Sequence, residues 1–138
     1  VAIQDLYRFS QDATSPATTL KNLTSHGGTT VLSIENLSIS PDGQYASYTT
    51  TTGDPAAVRL WAVGNTVSAA PIALNGAGTY VEPTYAWTGD SKAIVYGGGT
   101  TSASALDLLL VKVPSATTTT LHAAQSYIFV VSADQPTP

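Results

Sequence analysis

The residues that could do chemistry in this chain are few, and their spacing argues against a catalytic centre. A serine nucleophile on a strained elbow needs Gly-x-Ser-x-Gly or a similar turn, and no such segment occurs. There is no cysteine, which removes a thiolate nucleophile, a disulfide framework and a Cys-ligated metal. His26 and His122 are the only histidines; most of the chain separates them, so a solvated or turn-stabilising role is favoured over a shared metal or acid–base pair. Gly97-Gly98-Gly99 follows an apolar segment, where a phosphate loop would begin, but the later Gly-Lys-Ser/Thr is missing. Asp42, Asp90 and Asp134 recur at corresponding positions. A ring of ligands is one reading, but their setting in tight turns favours side chains that bond the backbone ahead of them. No catalytic residue, cofactor site or metal site is expected, and the chain is read as a non-enzyme.

Composition narrows the class. The 138 residues carry 10% charged side chains and a net charge of -4, so no basic stripe is available to neutralise phosphates and nucleic acid is a poor partner. Thr and Ser number 21 and 14, about a quarter of the chain, which suggests a surface wetted by hydroxyls in place of charges. Hydrophobic residues make up 43%, many of them β-branched or aromatic, which favours a folded, β-rich chain over disorder. No apolar run approaches the length of a membrane span, and no membrane insertion is expected. The first residue is Val1, a hint of a processed or excised product. Asn22-Leu23-Thr24 and Asn36-Leu37-Ser38 are possible N-glycosylation sites at Asn22 and Asn36, although chance explains both in a sequence this rich in Thr and Ser.

The elements that position these residues repeat. Ile39 to Tyr48 lies over Trp87 to Tyr96 at an offset of 48 residues, and the same offset carries Arg59 to Val63 onto Asp107 to Val111 without a gap. A third copy of the turn begins at Val131-Ser132-Ala133-Asp134, 44 residues beyond the second. Near the front, Leu6 to Phe9 matches Leu60 to Val63, and Leu20 matches Leu74, both at 54.

Each unit reads as four short strands. The first is Leu37 to Ser40 or Thr84 to Trp87, followed by a turn around Asp42-Gly43 or Asp90. The second is Tyr45 to Thr50 or Ala93 to Tyr96, and the third Val58 to Val63 or Leu106 to Val113. A weaker fourth strand ends the unit at Pro71 to Leu74 or Thr118 to Ala123. Leu106 to Val113 could instead be one helix of an α/β unit, but its Ser/Thr-rich flanks and Pro114 favour a strand. Two front strands (Leu6 to Ser10, Thr18 to Leu23) and one back strand (Ser126 to Ser132) remain. The expected fold is all-β, made of tandem four-stranded antiparallel units: a partial unit over 1–25, complete units over 36–76 and 82–124, and a partial unit over 126–138. Four strands per 40 to 50 residues is the pattern of a propeller blade. Leu60→Asp and Trp61→Asp are both predicted to unfold such a chain.

The Ser40-Pro41-Asp42-Gly43 turn, the Tyr45 to Tyr48 strand and the Leu60-Trp61-Ala62-Val63 strand resemble the WD-like repeat of TolB-like β-propellers, also found in the propeller domains of prolyl-oligopeptidase-type enzymes. The resemblance spans nearly the whole chain, but only the first complete unit carries Ser-Pro-Asp-Gly intact. It implies a secreted or cell-envelope setting (periplasm or surface) and work done by presenting and pairing surfaces. Roughly four to eight blades close a propeller, so these units are too few to close alone. Complementary partial units at the two ends suggest copies joined head to tail by strand exchange, as a ring or a filament. Two alternatives stay open: the non-catalytic propeller portion of a secreted peptidase of that type, and a ligand- or glycan-binding propeller using the aromatic residues Tyr45, Tyr48, Tyr80, Tyr85, Trp87, Tyr96 and Tyr127.

Overall fold

The computed structural model describes residues 7–9, 20–22, 33–51, 58–65, 70–76, 79–100 and 105–125. Among these there are ten strands and no helix. A short hairpin pairs β1 (Tyr7–Phe9) with β2 (Leu20–Asn22). β3 (Ser33–Ile39), β4 (Tyr45–Thr51), β5 (Val58–Gly64) and β6 (Ile72–Ala73) form one four-stranded antiparallel sheet in chain order. β7 (Tyr80–Trp87), β8 (Ala93–Gly99), β9 (Leu106–Lys112) and β10 (Thr118–Gln125) form a second in the same order. Leu106–Lys112 is therefore a strand and not a helix. The third copy of the turn, with Asp134, the back strand Ser126 to Ser132, Tyr127 and His26 all lie outside the described residues.

The first strand of each sheet runs about four residues further forward than alternation in the sequence suggests. β3 shifts register between Glu35 and Ser38, and β7 between Val81 and Tyr85. Such a bulge breaks the two-residue period, so the alternation is interrupted partway along each strand. Asn36 sits in the first bulge with φ 55, and Pro83, which has no N–H to donate, falls in the second, where a missing ladder bond is tolerated. β6 is the reverse case, reduced to Ile72–Ala73. Just past it the Asn75 side chain continues the pairing with β5, as Oδ1 accepts from the Leu60 N–H (2.8 Å) and Nδ2 donates to the Val58 carbonyl (2.9 Å).

The two sheets share one core. Leu60, Ala62 and Leu74 of the first cluster with Val81, Trp87, Ile94, Tyr96, Val111 and Val113 of the second. On the opposite face of the first sheet, Ala46, Tyr48 and Val63 form a second cluster with Ile34 and Trp61 packed against it. Hydroxyls enter this core as well as the surface, a departure from the composition-based expectation. Ser47, Thr49 and Thr50 on β4 are all buried. Burial is tolerated because each is bonded: Ser47 Oγ donates to the Ser38 carbonyl, Thr49 Oγ1 to the Glu35 carbonyl, and Thr50 Oγ1 accepts from Trp61 Nε1.

Candidate interaction surface

The turns repeat bond for bond. In the first, Asp42 Oδ1 accepts from Ser40 Oγ (2.7 Å) and the Gln44 N–H (3.0 Å), while Ser40 Oγ accepts from the Tyr45 N–H. In the second, Asp90 Oδ1 accepts from Thr88 Oγ1 (2.6 Å) and the Lys92 N–H (3.1 Å), while Thr88 Oγ1 accepts from the Ala93 N–H. The backbone bonds of Gly43 to Ser40 and of Ser91 to Thr88 correspond too, as do those of Asn65 to Gln44 and of Val113 to Lys92. Gly43 has φ 71, and its counterpart Ser91 holds φ 62 despite its side chain. A left-handed serine costs about 1 kcal/mol. It is retained where its Oγ accepts the Asp42 N–H at 2.9 Å, a bond between the two turns that glycine could not make.

Both carboxyls are held below the ordinary aspartate value, Asp42 chiefly by the Ser40 hydroxyl and then the Gln44 N–H, Asp90 chiefly by the Thr88 hydroxyl and then the Lys92 N–H. A depressed folded-state pKa contributes stability that is present above the unfolded value and lost as pH falls through the folded one. Urea midpoints are therefore expected to hold above about pH 4 and to decline below it. Asp42→Asn with Asp90→Asn should make that decline shallower. An acid profile identical in the double variant and the parent would show that the turns do not contribute.

Strand β7 is the element that joins the sheets. Trp87 Nε1 donates to Ser47 Oγ at 2.9 Å in a buried bond, and the Tyr85 hydroxyl donates to the Asn36 carbonyl. Burial pushes the Tyr85 phenol up to about 12. Trp87 also stacks, tilted, on Tyr45 with ring centres 6.2 Å apart.

Register assigns the two faces of each sheet, because residues directly opposite across strands share a face. The first sheet turns Ser47, Thr49, Leu60 and Ala62 toward its neighbour, and Ala46, Tyr48, Trp61 and Val63 away. The second turns Trp87, Ile94, Tyr96, Leu109 and Val111 inward, and Ala86, Val95, Leu108 and Leu110 outward. The outward set is apolar at its centre, with Lys112, Thr119 and His122 on the same face around it. Val95 is 7% exposed, and Leu108 and Leu110 are half-buried.

Two clefts accompany these faces. One, about 430 Å³, lies where the first sheet's end meets the second and is lined in part by Asn75, Thr79, Tyr80, Tyr96, Asp107 and Thr118. The Asn75 amide is fully engaged there, with β5 and with Thr79 Oγ1. Burial raises Tyr96, and burial followed by the nearby Glu82 raises Tyr80. The other cleft, about 510 Å³, borders the Asp90 turn beside Lys92, Leu110 and Lys112. Neither holds a histidine; His122 is exposed on β10 opposite Leu108. Among the described residues, no three His, Cys, Asp or Glu side chains converge as a metal would require.

Asn36, one of the two possible glycan acceptors, donates its amide nitrogen to Thr49 Oγ1 at 2.8 Å, a bond that a glycan would have to replace. Asn22 lies on β2, and its side chain is outside the described residues. Sequence reasoning missed the Trp87–Ser47 link and the outward leucines. Neither is carried by a local pattern: the first joins residues 40 apart in sequence, and the second depends on which face of each sheet receives its neighbour.

No protein-family model, curated protein or solved structure matches this chain.

Proposed function

We propose that the chain is a non-enzymatic structural and protein-interaction module of the TolB-like β-propeller kind, from a secreted or cell-envelope protein, that assembles with copies of itself head to tail into a ring or filament. Its blades are residues 36–76 and 82–124, with partial blades at 1–25 and 126–138.

The observation that carries this reading is the pair of four-stranded antiparallel sheets joined face to face, whose turns repeat the same hydrogen bonds 48 residues apart. A unit that stacks on its own repeat through unlike faces leaves one face of each kind unmatched at the ends of the stack. Such heterologous contacts close into rings or extend as filaments according to the rotation between units.

Light scattering on the purified chain tests the proposal. The expected result is a mass several times 14.2 kDa that rises with concentration. A particle that stays at 14.2 kDa over the whole range would reject it.

A further inference from the structure

The described residues expose three large hydrophobic side chains: Leu37 (53%), Ile39 (57%) and Leu121 (50%). Two of the three have telling counterparts. At the 48-residue offset Leu37 corresponds to Tyr85 and Ile39 to Trp87, the two β7 residues that bond directly to the first sheet. β3 therefore carries apolar groups in the positions from which β7 reaches its neighbour, and they stand open.

The receiving side has the same relation. β7 sits against β5 and β3 of the first sheet, where Leu60 and Ala62 are fully buried. Their counterparts are Leu108 and Leu110 on β9, and Ser47 corresponds to Val95 on β8. In the second sheet both leucines are only half-buried. The contact within one chain combines apolar packing with the two hydrogen bonds from β7, whereas on the corresponding donor strand Leu37 and Ile39 stay exposed, and on the corresponding acceptor strip Leu108 and Leu110 are half-buried beside the buried Val95.

We infer that the self-association proposed above, on which this inference rests, is made by β3 of one copy, through Leu37 and Ile39, seated on the Val95, Leu108 and Leu110 strip of a second copy. The occupant is a second copy because the strip repeats the positions of a surface that already binds this repeat, and because the matching donor is exposed on the same molecule. The two surfaces differ, so the contact is head to tail and leaves each added copy able to accept another. The seat is confined to the exposed β3 margin of the first sheet's outer face, because Tyr48 and Val63 on that face are already buried within the chain.

The test uses the full chain with one surface impaired at a time. Leu108→Lys damages the acceptor and Ile39→Glu the donor; each should weaken association by on the order of 30-fold or more, the size of an interface hot spot, and give particles of 14.2 kDa. Mixed one to one, the two variants should form a two-chain particle, because each supplies the surface the other lacks. Circular dichroism checks that each variant folds, and Leu110→Gln serves as a milder acceptor variant. Wild-type assemblies that persist in every variant, or variants that remain single when mixed, would overturn the inference while leaving self-assembly intact. A wild-type chain that is itself monomeric would overturn both.

Discussion

Leu60→Asp is expected to abolish the folded state. Leu60 is fully buried between the sheets, and its N–H is held by Asn75. Replacing it removes a core side chain at about 2–5 kcal/mol and adds a carboxylate with no cation among the apolar residues of its cluster, costing several kcal/mol more. A domain of this size has only about 5–15 kcal/mol in hand, so the two terms together consume most or all of it. Trp61→Asp acts on the other face, where the indole bonds Thr50 and lies 5.4 Å beneath the Arg59 guanidinium. Trp61 is half-buried, so its loss should be severe but smaller. Circular dichroism and thermal melting check both; an unchanged melting curve for Leu60→Asp would show that the strand is not packed between two sheets.

Trp87→Ala should separate the sheets without necessarily destroying either. Trp87 is 4% exposed, fills the shared core, stacks on Tyr45 and makes the buried bond to Ser47. Emptying that volume costs about 3–5 kcal/mol, and Ser47 Oγ loses its indole donor. Trp87→Phe keeps most of the volume and loses the bond, so its cost should be about 1–3 kcal/mol. The ordering parent, Phe, Ala in urea midpoint is the expected result. Equal midpoints for Phe and Ala would mean that the bond to Ser47, and not the filled volume, holds the sheets together.

These two residues also show what the sequence made legible. The Asp42-Gly43 and Asp90-Ser91 turns, with apolar strands at a constant offset, were visible because turn chemistry and strand alternation are local properties. The front halves of β3 and β7 were not, since a bulge hides the alternation on which the reading depends. Buried hydroxyls on β4 were equally hidden: Ser47 and Thr49 look like surface residues until Trp87 and Asn36 are placed beside them. Ser91 shows the same limit. Its left-handed backbone is explained only by a bond to a turn 49 residues away, which no local pattern encodes. Of the interaction surface, the turn residues were readable from sequence alone, whereas the strip of Val95, Leu108 and Leu110 required knowing which face of each sheet receives its neighbour.

The proposed assembly makes one geometric claim: copies of this chain would be related by the same kind of step that relates its two sheets. Electron microscopy of the assembled chain tests this most directly. Particles in which every subunit meets the next through the same pair of different surfaces, as a ring or a filament, are the expected result. Isolated two-fold dimers joined through like surfaces, or single particles alone, would contradict it.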